Sequence, residues 1–405
     1  MLKQDKLQIE ATLLPDYGRK KLLGYAETFR DLAKTYANDA EGKADTKKGA
    51  ETMEDRQDML CQRRLIENRE ILADHLSEVA QIMTHVAEES YQMIRLSHKK
   101  QKQIIQMLKS NGIAVQTICL IEHANHQMEV SMQMRACKSR HFETEEVAGI
   151  LSVLLNRRLV PGKNSLLYLS SESDLYVFEE ETEYNVFAGM AKAVKEKETM
   201  SGDNYTLMNM GNGKYICAIS DGMGSGEKAC EDSALVIDLL EKLLEAGFEE
   251  GMAIQMINGT LIAYDEKQNM STLDLCEIDL RTGLSMIWKA GASHSFIKRE
   301  NSVEILEGNS LPLGVFHQMD LTAKYIQLKE GDYVIMVSDG IVDAFKSDDA
   351  SYILQEFMER IEMKNPREIA NHILQFVIHA SGGEIKDDMT VCVAGLFVTE
   401  GADML

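Results

Sequence analysis

Apolar residues recur every three or four positions near the start of the chain. Leu22, Ala26, Phe29, Ala33 and Tyr36 form one stripe, which predicts a helix over about 20–37. From Asn38 to about Asp58 the period disappears and charged residues dominate, as expected of a linker. The helical period returns over about 60–110. Leu72, Leu76, Val79, Met83 and Val86 build a seam that could pack on another helix or on a second copy of the chain. Ser90 and Ser97 interrupt the stripe, and Asn111-Gly112 supplies a helix stop.

Residues 113–190 change character. Ile113 to Ile121, Met128 to Met134, Ser165 to Leu169 and Leu175 to Glu179 read as strands, and Thr144 to Leu155 as a helix, giving a small α/β module. From about Tyr184 strands dominate. Tyr205 to Met210 and Lys214 to Ile219 are joined through Gly211-Asn212-Gly213, a hairpin signal. Helices are predicted over Lys228 to Ala246 and Gly251 to Tyr264. Strands follow over Thr272 to Leu280, Leu284 to Lys289, Ser293 to Lys298, Val303 to Leu306, Thr322 to Leu328 and Tyr333 to Val337. Asn365-Pro366-Arg367-Glu368 combines a cap, a first-turn proline and an acidic third position, opening a helix to about Ala380. A last apolar run, Val391 to Val398, reads as a strand. The order suggests two sheets sandwiched between helices, with Trp288 and Phe296 in the core.

Composition narrows the class. With 405 residues and 44% hydrophobic content the chain can build two or three packed domains. Its 43 basic and 65 acidic residues leave a net charge of −22, which argues against nucleic acid or an anionic membrane surface as a partner. The 7 cysteines show no C-x-x-C pair, which fits free thiols in a reducing cytoplasm. Met1 to Glu10 is too polar for a signal peptide, and no apolar run approaches the ~18 residues of a membrane span. The 24 methionines read as adaptable core filling.

The chemistry concentrates at strand ends. Ser220-Asp221-Gly222-Met223-Gly224-Ser225-Gly226 follows the apolar run Tyr215 to Ile219. Val337-Ser338-Asp339-Gly340 repeats its phrase after another such run, and Asp387-Asp388-Met389-Thr390 precedes the last strand. Carboxylates and bare backbone carbonyls at strand ends suit hard ions such as Mg²⁺ or Mn²⁺, which keep several waters and need few protein ligands. Two such ions sharing a carboxylate can activate water for attack on phosphorus. Asp203, in Ser201-Gly202-Asp203, is a fourth acid of this kind. A single S-D-G is more often a turn, and a single D-D more often a solvated loop. His123 and His126 lack a third ligand and read as ordinary polar positions, as do His75, His85 and His98.

In order, Ser201-Gly202-Asp203, Ser220-Asp221-Gly222-Met223-Gly224, Ser271-Thr272-Leu273-Asp274, Leu311-Pro312-Leu313-Gly314, Ser338-Asp339-Gly340 and Asp387-Asp388-Met389-Thr390 make the stretch from about 200 to 397 resemble the metal-dependent (PPM-type) protein phosphatases. The D-G-M-G form belongs to the bacterial serine-phosphatase style. The resemblance extends upstream, more weakly, through Leu23 to Ala37, Asn68 to Met83 and Ala188 to Val194. It implies an α+β fold: an α-β-β-α sandwich over 191–400, preceded by a helical region over 1–110 with a long helix and a small α/β regulatory module over 111–190. It implies two Mn²⁺ or Mg²⁺ ions. Asp221 would bridge them, the Gly222 carbonyl would bind one, Asp339 and Asp387 would hold the other, and Asp203 would stand near the second metal, directly or through water. Asp387 is preferred to Asp388 because the first acid of D-[DN]-M-T is the ligand. Metal-activated water would be the nucleophile, with no phosphoenzyme.

Three departures stand out. Met223 replaces the histidine that the eukaryotic branch can use as general acid, and no counterpart of that branch's phosphate-binding arginine is evident. The multi-spanning membrane region with which the nearest relatives begin is also missing, so the chain is expected to be a cytosolic part or a shorter relative. The implied substrate is phosphoserine or phosphothreonine on an anti-anti-sigma-factor protein, whose dephosphorylation activates a sporulation sigma factor. The alternatives are a silent phosphatase-like scaffold for a signalling or cell-division partner and a small-molecule phosphohydrolase. The helix over Lys228 to Ala246, so close to Asp221, could be core packing or a movable switch biased by the upstream seam.

Overall fold

The computed structural model describes residues 21–34, 76–77, 79–84, 86–87, 93–94, 96–122, 128–137, 142–162, 165–210, 213–224, 226–264, 270–308, 310–316, 321–345, 347 and 349–399. The expected linker over Asn38 to Asp58, Leu72 of the seam, the turn residues Gly211 and Asn212, and His75, His85, His123 and His126 lie outside them. The chain divides into two compact units, residues 1–157 with 164–179 and residues 158–163 with 180–405.

In the first unit residues 21–34 are helical, with Ala26 and Ala33 buried. Residues 76–77, 79–84 and 86–87 are helical too, and Leu76, Val79, Met83 and Val86 are half-buried. One long helix over 60–110 does not form. Met93–Ile94 is a strand paired with Leu120 and Ile121, and a separate helix occupies His98–Ser110. Ser97 explains the break. It is extended, and its hydroxyl accepts from the Lys100 N–H, so the residue that interrupts the stripe caps a new helix. Strands Ile113–Glu122, Met128–Ala136 and Asp174–Glu180 pair antiparallel in that order, and the helix Thr144–Leu155 falls where its pattern places it. Ser165 to Leu169 is not a strand; its contact with Glu143 is a single bridge at Tyr168.

The second unit has the expected four layers. Its first sheet holds β2 (Asp203–Met210), β3 (Lys214–Asp221), β4 (Leu273–Asp279), β5 (Leu284–Ala290) and β8 (Lys324–Gln327), in the order β8-β5-β4-β3-β2. Its second sheet holds β1 (Tyr184–Ala193), β6 (Ser295–Lys298), β7 (Val303–Leu306), β9 (Tyr333–Val337) and β10 (Met389–Val398), in the order β7-β6-β9-β10-β1. All pairings are antiparallel. Because β1 runs the full length of β10, the chain enters this unit before residue 190, and Tyr184 to Met190 belong with the sandwich.

Side chains alternate across each strand and so sort into layers. Tyr215, Cys217, Ile219, Cys276 and Ile278 face Ile297, Val334, Met336, Cys392 and Ala394 between the sheets. Ile216, Ala218 and Leu275 point outward to Val236, Leu240 and Leu244 of α1 (Glu227–Glu245) and to Ile254 and Ile257 of α2 (Glu250–Tyr264). Phe296, Ile335, Val391 and Val393 point the other way, to Leu354 and Met358 of α4 (Ala350–Glu359) and Ile369, Ile373 and Val377 of α5 (Pro366–Ala380). Phe296 thus packs under the helices rather than between the sheets, and Trp288 does the same on the other side. With both faces covered, β3, β4, β9 and β10 are buried almost throughout. A short helix, α3 (Asp339–Asp343), follows β9 directly. Asn365 caps α5 as its pattern predicts, accepting from the N–H groups of Arg367 and Glu368.

Two buried polar clusters pin the layers. Between the sheets, the Lys289 ammonium reaches Asp274 at 2.6 Å and Ser295 at 2.8 Å, and the Ser295 hydroxyl also donates to Asp274. Under α2, Lys214 donates to Glu277 (2.8 Å) and to Glu250 (3.2 Å). Burial, then the nearby Glu250 carboxyl, raises Glu277 to about 8, against the pull of Lys214. A carboxyl whose pKa is raised on folding contributes stability below its unfolded value of about 4.3 and loses it as pH rises toward the folded value. Between pH 6 and 8.5 the wild type should therefore lose about 2 kcal/mol that Glu277→Gln keeps. Urea unfolding of both proteins at the two pH values checks this; parallel pH dependences would remove the claim.

Candidate metal centre

The hairpin of β2 and β3 places Asp203 opposite Asp221 at one end of the first sheet. In the second sheet Val337 and Val391 pair across β9 and β10, so Asp339, just after β9, and Asp387, just before β10, emerge together. Four carboxylates from four strand ends thus gather at one edge of the sandwich. The Asp221 carboxyl is close enough to the others to feel the charges of Asp203, Asp339 and Asp387.

Hydrogen bonds hold the two sheets together at this edge. Thr390 Oγ1 donates to Asp203 Oδ2 (2.6 Å), and the Thr390 N–H donates to Ser338 Oγ (2.9 Å). Asp388 accepts the Lys195 N–H on Oδ1 (2.9 Å) and the Gly202 N–H on Oδ2 (2.7 Å). Both its oxygens are engaged and it is buried, whereas the Asp387 side chain is 48% exposed. This division of labour favours Asp387 over Asp388 as a metal ligand. Asp221 is fixed through its backbone: its N–H donates to Thr272 Oγ1 (2.9 Å), and its carbonyl accepts from the Thr272 N–H and the Ser271 hydroxyl (both 2.8 Å). The Ser-Thr-Leu-Asp phrase at 271–274 therefore serves the turn after Asp221 and, through Asp274, the bond between the sheets.

Glycine is required at two points. A Cβ on Gly222 would lie 1.9 Å from the Ala229 carbonyl oxygen in the first turn of α1. A Cβ on Gly340 would lie 2.1 Å from the Asp388 carbonyl oxygen. Met223 is half exposed and carries no transferable proton, as its sequence position implies.

The electrostatics ask for positive charge. Burial comes first in raising Asp221 to about 9, followed by the charges of Asp203 and Asp339. Burial also raises Asp203 despite the bond from Thr390, and Asp339, although open to solvent on one side, is raised by partial desolvation and then by the charges of Asp387 and Asp343. Asp203 Oδ1 is buried without a hydrogen-bond partner among the described residues. Among those residues no three His, Cys, Asp or Glu side chains converge closely enough to hold an ion by themselves. Hard divalent ions that keep most of their waters do not need such a set. An unpartnered buried oxygen beside repelling carboxylates fits such ions. Lys192 and Lys195 were not foreseen at the site. Lys192 Nζ donates to the Asp203 carbonyl (2.6 Å), and Lys195 Nζ lies 3.4 Å from Asp387 Oδ1. Nothing in their local sequence distinguishes them, because the contact depends on how β1 meets β10.

Known proteins resemble both parts of the chain. Residues 211–397 match the family described as stage II sporulation protein E, and residues 44–179 match that protein's regulatory domain. Stage II sporulation protein E of Bacillus subtilis (strain 168) is 33% identical over 338 residues, 83% of this chain and 40% of that protein. The protein of the same name from Priestia megaterium is 32% identical over 332 residues, 82% of this chain and 57% of that one. The chain thus spans about half the length of these curated relatives or less. A solved structure of the PP2C phosphatase domain and a fragment of the regulatory domain of the cell fate determinant SpoIIE from Bacillus subtilis aligns with TM-score 0.64 and 31% identity, covering 85% of this chain and 98% of that one. No described helix is long and apolar enough to cross a membrane. With both of its halves matched and a PPM-type sandwich in its second unit, the chain belongs to the stage II sporulation protein E family.

Proposed function

We propose that the second unit is a Mn²⁺- or Mg²⁺-dependent protein serine/threonine phosphatase. The observation that carries this reading is the gathering of Asp203, Asp221, Asp339 and Asp387 at one sandwich edge, with Asp203 Oδ1 left unpartnered. Asp221, facing acids from both sheets, suits a carboxylate shared by two ions, with the Gly222 carbonyl, Asp339 and Asp387 completing the set and Asp203 nearby. Bound ions would supply a water of lowered pKa and offset the charge that builds on a phosphoryl group. The chain itself holds the carboxylates in place through Thr390, Asp388 and Thr272.

The substrate is phosphoserine or phosphothreonine on an anti-anti-sigma-factor protein, and its release activates a sporulation sigma factor in the cytoplasm. Kinship with proteins named for sporulation supports this. The half-buried seam at Leu76, Val79, Met83 and Val86 is the surface from which a homodimer would be built.

Asp339→Asn should lower Mn²⁺-dependent phosphate release from the phosphorylated anti-anti-sigma protein at least about 100-fold, since even outer-shell changes at metal sites cost 10–100-fold. The Mn²⁺-induced rise in Tm should disappear while the circular dichroism spectrum is kept. Turnover like that of the wild type in this variant would refute the metal role. Gly222→Ala should also cut turnover about tenfold or more, because the new methyl group must displace the first turn of α1. Steady-state kinetics with a Mn²⁺ titration reads this; an unchanged profile would mean that α1 yields without disturbing Asp221.

A further inference from the structure

We infer that Lys195 binds the phosphoryl group of the substrate, an inference that rests on the phosphatase reading above. Three features place it there. Its ammonium lies 3.4 Å from Asp387 Oδ1, at the rim of the carboxylate cluster, with the side chain 32% exposed. Its backbone is not free to drift: its N–H is held by Asp388 Oδ1, and the next residue, Glu196, donates to the Ile385 carbonyl at 3.0 Å. The turn closes through the Glu198 N–H on the Lys195 carbonyl and through Lys197 at φ 73°, a left-handed conformation uncommon outside glycine. The loop is therefore built to present Lys195 to Asp387.

An ammonium has three N–H donors. Asp387 takes one, and no second side-chain partner is found for Lys195 among the described residues. The remaining donors are left for an anion at the rim of the carboxylate cluster. Lys192 does a different job, with its Nζ on the Asp203 carbonyl. Lys386 is paired with Glu384. The alternative is that Lys195 only neutralises Asp387, and the two roles separate experimentally.

Lys195→Met keeps the stem and removes the donors; Lys195→Arg keeps the charge. With Mn²⁺ present, Lys195→Met should raise KM for a phosphoserine peptide and the inhibition constant of inorganic phosphate together, each about tenfold, as loss of a charge-assisted hydrogen bond does. The Mn²⁺ concentration at half-maximal thermal shift should stay within about twofold, and Lys195→Arg should recover most of the phosphate affinity. Unchanged phosphate inhibition in Lys195→Met overturns the inference. So does a Mn²⁺ midpoint that weakens in step with KM, because Lys195 would then be positioning Asp387 alone. Calorimetric titration of inorganic phosphate into the Mn²⁺-loaded protein gives a readout that needs no turnover. If the wild type binds phosphate through Lys195 yet hydrolyses no phosphopeptide, the phosphatase reading fails and the phosphate site stands.

Discussion

Four carboxylates crowd one edge of the sandwich, Asp203 buried and Asp339 and Asp387 open to water, and their like charges repel. Left to themselves they would push the two sheets apart at that edge. Cross-sheet hydrogen bonds resist this. Thr390 of β10 reaches Asp203 of β2, and Asp388 gathers the N–H groups of Lys195 and Gly202, which flank the turn between β1 and β2. Asp388 is thus an acid spent on structure so that Asp387 can stay half open beside it. The arrangement stores repulsion that a cation relieves, which is why a metal would stabilise this fold as well as serve its chemistry.

The helix layers share in that balance. Gly222 touches the first turn of α1 so closely that any side chain there would strike the Ala229 carbonyl, and Gly340 meets the Asp388 backbone in the same way. The position of α1 is therefore felt directly at Asp221. A helix layer and an acidic edge in backbone contact cannot shift independently, because packed interiors move by discrete rearrangement rather than by gradual stretching.

Much of the second unit was legible in the residues. The β2–β3 hairpin, helices α1, α2 and α5, and the central strands follow from apolar runs, glycine turns and the Asn365 cap, all local signals. The four clustered acids were legible as candidates because strand-end aspartates beside glycine are a local signal too. What was missed depended on distance. Over 60–110 a helical period interrupted only at Ser90 and Ser97 suggested one long helix, but Ser97 caps a new start and Met93–Ile94 pairs with Leu120 and Ile121, far along the chain. The exposed stretch Leu166-Leu167-Tyr168 looks like a strand by composition but has no neighbour to complete a ladder. Helix α4 went unseen because its apolar stripe, Leu354 and Met358, is short. Lys195 and the bracing role of Asp388 exist only once β1 lies along β10, a pairing of the first and last strands of the unit.

The cluster of Asp274, Lys289 and Ser295 between the sheets bears on all of this. Two apolar sheet faces can slide by a residue pair and still bury much the same area, since dispersion and hydrophobic burial have little directional memory. An ammonium held by one carboxylate and one hydroxyl has no such freedom, because any slip strands a charge in a dry interior. That cluster works as a vernier between the two halves of the sandwich. Asp203 and Asp221 belong to one half, Asp339 and Asp387 to the other, so the alignment of all four acids is set in part by three residues that never meet the substrate.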